Sequence, residues 1–181
     1  MKNLILAIFL AFTFGSVNAQ AILKTSAQEV ATPELAKQRE ALKKGIITNY
    51  LGLKSCLVAS DSVQAAKHAA DLVTALDRFK FKKLDLEQMN AATTMRGKIK
   101  GLAKSIADTY SINKQRGYFM ELSEGMWSIM ERFVPEKTVL YLQECPMTSK
   151  VWISDEKEIK NPYYPKNMLD CGAVKAELGS K

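Results

Sequence analysis

Two short segments near the C-terminus carry side chains able to hold a soft metal ion: Cys145-Pro146-Met147 and Met168-Leu169-Asp170-Cys171. In extended backbone, positions two apart point to the same side, so Cys145 and Met147 converge. In a helical turn, positions three apart share a face, which aligns Met168 with Cys171. Pro146 restricts the backbone between the first two and stiffens their spacing. Joined, the segments offer two thiolates and two thioethers, a set suited to Cu(I) or Ag(I) and poorly suited to hard cations, which take oxygen. Neither segment contains histidine, which argues against a catalytic zinc centre. Two other readings of the same residues stand beside this one. Cys145 and Cys171 can form a disulfide that staples the tail, or remain unpaired thiols, with the methionines as packing residues. Metal capture and disulfide formation are compatible as reduced and oxidised states, since oxidation would silence the metal site.

Other chemistry has less to rest on. Cys56, the third cysteine, falls beside an apolar helical stripe and reads as buried and inert. His68 is the single histidine and lies on a helix, where a surface or packing role is expected. No nucleophile is paired with a base, so hydrolysis has no support, and the chain reads as non-enzymatic. No CxxC is present for thiol exchange and no CxxCH for haem attachment. Met120, Met126 and Met130, with Trp127, read as core.

The elements that must position the sulfur residues follow from periodicity. Thr32-Pro33-Glu34 starts a helix, with a capping hydroxyl, proline at the first helical position and an acid at the positive end of the dipole. Leu35, Leu42, Ile46, Tyr50, Leu53 and Leu57 make its stripe. Ala59-Ser60-Asp61 interrupts it, and Asp61 with Gln64 resembles a capping box. Val63, Ala66, Ala70, Val73, Leu76 and Phe79 form a second stripe. Arg78 to Lys83 is a basic stretch that reads as a solvated loop. Ala92, Met95, Ile99, Leu102 and Ile106 form a third stripe, in a helix from about Asp85 to Tyr110. After a restart at Ser111, Ile112, Phe119, Leu122, Met126, Ile129 or Met130, and Phe133 form the fourth, which Pro135 ends. The expectation is an all-α, up-and-down four-helix bundle over residues 32–134, with an irregular extension over 135–181. Thr138 to Gln143 and Val151 to Ser154 are β-rich and suit a short hairpin; a short helix is expected after Gly172.

The N-terminus reads as an export signal. Lys2, the apolar run Leu4 to Phe14 and the Val17-Asn18-Ala19 site predict cleavage after Ala19. Removing 19 of 181 residues leaves 162, with Gln20 to Ala31 as a mobile lead-in. No second apolar run is long enough to span a bilayer. The mature chain is therefore expected to be soluble and, in a cell with two membranes, periplasmic. The formal charge of +7, or +6 without Lys2, then suggests an acidic protein partner or envelope surface rather than nucleic acid.

Taken together, Leu140-Tyr141-Leu142-Gln143-Glu144-Cys145-Pro146-Met147, Val151-Trp152-Ile153-Ser154, Glu158 to Tyr164 and Met168-Leu169-Asp170-Cys171-Gly172 resemble a family of exported bacterial domains of unknown function. That family occurs alone and fused to adaptor subunits of Cus-type copper/silver efflux pumps. Gln115-Arg116, Phe119 and Leu122-Ser123 resemble its helical signature, and Tyr50 to Asp61 its first helix. The stretch between Met147 and Trp152 is shorter than the family pattern, and Pro165 replaces a glycine. The resemblance implies metal handling in the envelope: Cu(I) or a similar ion on Cys145, Met147, Met168 and Cys171, handed to an efflux component. The competing expectation is a protein-interaction module whose tail is stapled by a Cys145–Cys171 disulfide.

Overall fold

The structure is a computed structural model that describes residues 32–179. Four α-helices, α1 (Pro33–Ala59), α2 (Ser62–Arg78), α3 (Leu86–Ala107) and α4 (Ile112–Ser128), precede a small sheet. Its strands are β1 (Val139–Cys145), β2 (Lys150–Ser154) and β3 (Ala173–Gly179). Consecutive helices pack on one another, as short connections require. Among the described residues no helix is long and apolar enough to cross a membrane.

The helix ends follow local chemistry. Thr32 Oγ1 accepts from Leu35 N, with Pro33 at the first helical position. Ser60 adopts the left-handed conformation (φ 59°) that closes α1, and Asp61 Oδ1 accepts from Gln64 N at 3.0 Å to open α2. Asp85 caps α3 in the same way at 2.8 Å. The third and fourth helices are separate, and buried Gln115 joins the elements around their junction. Its side-chain nitrogen donates to the carbonyls of Ser62, Ile106 and Thr109.

Three differences from expectation have physical causes. The buried face of α2 is Ala65, Ala66, Ala69, Leu72 and Leu76, turned from the expected stripe so that Val63 is 59% exposed. Alanine-rich α2 has apolar residues on more than one side, so periodicity alone does not fix its rotation. In the basic loop Lys80, Lys82 and Lys83 are exposed and Phe79 is buried as the end of the second stripe, but Phe81 is buried rather than solvated, and both rings meet Phe133. Finally, the tail is a three-stranded antiparallel sheet of order β2-β1-β3, and the segment after Gly172 is a strand rather than a helix. A single short helix there would lack a buried face, whereas the open edge of β1 supplies backbone hydrogen bonds.

The sheet is fixed to the helices through β2. Tyr50 of α1 stacks on Phe119 of α4, with ring centroids 5.3 Å apart. Its hydroxyl lies 2.7 Å from Ser123 Oγ and accepts from Ile153 N at 3.0 Å. Burial pushes this phenol far above its ordinary pKa, so it stays protonated as a structural link. Arg116 of α4 makes a second tie. It donates to Pro162 O in the tail, and to Leu57 O and Ser60 Oγ at the end of α1.

Candidate functional site

The β1–β2 hairpin positions Cys145. Residues 146–149 connect the strands, and the amides of Thr148 and Ser149 donate to Cys145 O at 3.2 and 2.8 Å. Ser149 takes a positive φ of 53° to complete the turn. The turn brings the backbone amides of Met147 and Thr148 near the Cys145 sulfur, where they favour the thiolate. Burial alone would raise the Cys145 pKa, but the polar groups around the sulfur, the Thr148 hydroxyl and the Cys171 thiol first among them, lower it instead. The Thr148 hydroxyl is itself buried without a hydrogen-bond partner among the described residues.

Cys171 arrives from the loop between β2 and β3. The two sulfurs are 3.2 Å apart, with Cys145 buried, Cys171 half-buried and both free. Their hydrogen bond favours one thiolate and one thiol. It pushes the Cys171 pKa up, and desolvation adds to this. Met168 is half-buried and linked to Cys171 by a turn in which Cys171 N donates to Met168 O at 3.2 Å. This is a turn rather than the helical segment that the three-residue spacing suggests. Met147 is 75% exposed. Thus the two cysteines are brought together, while Met147 is left largely in solvent.

The loop that delivers Cys171 is built on Asn161. Its Oδ1 accepts from the amides of Tyr163 and Tyr164, and its Nδ2 donates to Cys171 O at 3.2 Å. The Asn161 amide donates to Leu169 O at 2.7 Å. Beneath the loop lies Trp152, fully buried, whose indole donates to Gln143 Oε1 at 2.6 Å. Gln143 Nε2 in turn donates to the carbonyls of Glu156, Lys157 and Glu158. Gly172 follows Cys171 directly over this surface. A Cβ there would come within 2.9 Å of Trp152 and 2.8 Å of Ile159, so a side chain would lift Cys171 away from Cys145. Tyr163 packs edge-on to Trp152 and donates to Val151 O. Trp152 and Tyr163 therefore serve packing.

Asn161→Ala should cost about 2–4 kcal/mol, since it removes three hydrogen bonds and strands partly buried groups. Denaturant unfolding checks the stability. A faster alkylation of Cys171 by iodoacetamide, with Cys56 unchanged, checks that the loop has loosened locally.

Thr148 has no part in the sequence reading, and Gln143, Asn161 and Gly172 enter it only as segment markers or within the family resemblance, without a role. The glycine after Cys171 is the signal that points to the tight approach over Trp152. Among the described residues no group of three or more His, Cys, Asp or Glu side chains could hold a metal. A metal at this pair would therefore have two sulfur ligands of high affinity, completed by thioether or solvent. That donor set fits a soft monovalent ion of low coordination number better than a four-ligand structural zinc. At sulfur–metal distances of about 2.3 Å, the trigonal or linear angles of a low-coordination ion place two sulfurs roughly 4.0–4.6 Å apart. The observed pair must open by about 1 Å to reach this, and closing to about 2.05 Å would make a disulfide.

Cys56, by contrast, is half-buried on α1, and burial together with Asp61 pushes its thiol pKa up. Met126 and Met130 are fully buried and belong to the core. The export signal and lead-in expected over residues 1–31 lie outside the described residues, apart from the helix start at Thr32.

Residues 46–138 match the family described as "Protein of unknown function (DUF3347)". The match covers the helices from within α1 to the approach to β1 and stops before both Cys145 and Cys171. No curated protein and no solved structure matches the chain.

Proposed function

Because the chain belongs to this family of unknown function, whose description assigns no chemistry, we propose its role from its own residues: an exported envelope protein that binds Cu(I) or Ag(I) through Cys145 and Cys171. Met147 and Met168 add thioether donors, and the ion is sequestered or passed to an efflux component. The observation that carries this reading is the 3.2 Å thiol pair, one member buried and the other half-buried. Cys145 is the resident ligand. Cys171, half-buried and held as the thiol, faces the incoming ion and loses its proton when the ion binds. Met147 is exposed next to the pair and suited to meeting an ion on its way in or out. Thioethers bind without deprotonation and hold less tightly than thiolates, which permits transfer. No group of the pair needs to do acid–base or nucleophilic work, so the role is binding rather than catalysis.

The same proximity favours a second reading, a non-enzymatic interaction module whose tail is stapled by a Cys145–Cys171 disulfide. Native mass spectrometry separates the two. The reduced chain from Gln20 onward should take up one Cu(I) or Ag(I), and Cys145–Cys171 oxidation should abolish uptake. A bridge that resists mild reductant, with no adduct at any ratio, would leave the staple as the role of the pair.

A further inference from the structure

At the end of β2 away from the cysteines, a cleft of about 570 Å³ lies between α1, α2 and the segment that follows β2. Lys54 lines it and is only 6% exposed. Its ammonium has three donors, and its hydrogen-bond partner in the protein is Ser154 Oγ, at 3.0 Å. Ser154 Oγ also accepts from Glu156 N. A buried ammonium with donors to spare is costly unless an acceptor enters from the cleft. His68 contributes a second open group. Its ring lies so close to α1 at Gly52 that a Cβ there would come within 2.5 Å of it, and its Nδ1 is buried without a partner.

The charged groups around Lys54 decide what kind of acceptor fits. Asp155, Glu156 and Lys160 act on it electrostatically and line the same cleft. Lys160 pairs with Glu156 at 3.4 Å and Glu158 at 3.0 Å. Asp155 is exposed and has no hydrogen-bond or ion-pair partner among the described residues. A simple anion would be drawn to Lys54 but repelled by Asp155 and Glu156. A ligand carrying both charges satisfies both ends. Leu51 and Val58 add apolar surface to its lining.

We propose that this cleft binds a free aliphatic α-amino acid, with its carboxylate on Lys54, its ammonium at Asp155 and its side chain against Leu51 and Val58. The cleft volume lies within the range of small-molecule sites. Binding here does not depend on the thiol pair, so the Cys145→Ser/Cys171→Ser variant should bind as the wild type does.

The test is a ¹H–¹⁵N titration of the chain from Gln20 onward with L-leucine, L-valine, acetate, methylammonium and inorganic phosphate as separate probes. L-Leucine or L-valine should give saturable shifts confined to residues around Lys54, His68 and Asp155. Acetate and methylammonium should bind at least about tenfold more weakly, as each lacks one charge-assisted contact. Lys54→Met should weaken binding by a similar factor. Asp155→Asn, at an exposed position that the fold does not depend on, should do the same and guards against misfolding of the first variant. No shift with either amino acid, equal binding of acetate, or phosphate as the tightest probe would overturn the proposal.

Discussion

Replacing both Cys145 and Cys171 with serine should weaken Cu(I) binding by at least about a thousandfold, roughly 4 kcal/mol. The two sulfurs are the charged soft donors of the site, and hydroxyls neither ionise at neutral pH nor suit a soft ion. An anaerobic competition titration against a Cu(I) chelator measures the effect. Replacing Cys56, whose thiol lies on α1 apart from the pair, should leave affinity unchanged. The pH dependence follows from the two shifts. Burial opposes ionisation of Cys145, but the Thr148 hydroxyl and the Cys171 thiol beside its sulfur outweigh it, so Cys145 remains thiolate to lower pH than a free cysteine. Cys171, raised by its bond to Cys145, must release its proton to solvent before it can bind the ion. Affinity should therefore fall as pH drops through the thiol range, with proton competition at Cys171 setting in first.

Trp152→Ala should destabilise the fold by about 3–5 kcal/mol, the cost of a large cavity plus a stranded hydrogen-bond partner. Trp152 is fully buried, contacts Tyr163 and underlies Gly172, and its indole satisfies Gln143. Since a domain of this size holds roughly 5–15 kcal/mol in total, the loss is a large share of its stability. Denaturant unfolding at two or more probe wavelengths measures it. Trp152→Phe keeps most of the volume but leaves Gln143 Oε1 without its donor, so a smaller loss, about 1–3 kcal/mol, is expected. The ordering of the two variants distinguishes packing from the hydrogen bond.

The helical part of the chain is legible because its signals are local. Thr32-Pro33, Asp61 with Gln64, and Asp85 mark helix starts that the structure bears out, since a cap depends on residues three positions apart. The rotation of α2 is not local. Ala65 and Ala69 are buried because α1 and α3 lie on that side, and an alanine-rich stretch does not announce which side that is. The same limit hides Phe81, whose place depends on Phe133 far along the chain. β3 is built of residues common in helices, and its strand state comes from the edge of β1.

At the candidate site, residue types and spacing single out Cys145 and Cys171, and the fold brings them into contact. Met147 was paired with Cys145 on the premise of extended backbone. The tight turn after Pro146 breaks that premise, leaving the Met147 thioether exposed. Asn161 and Gly172 gain their meaning only from what lies over and under them, the Cys171 carbonyl and the Trp152 ring.

The most direct test of a soft-metal site is X-ray absorption at the copper edge of the reduced chain loaded with one Cu(I). The expected result is a shell dominated by sulfur, at about 2.3 Å, and its loss in the Cys145→Ser/Cys171→Ser variant. A shell dominated by nitrogen or oxygen, or one unchanged in the variant, would contradict it and place the ion elsewhere on the protein.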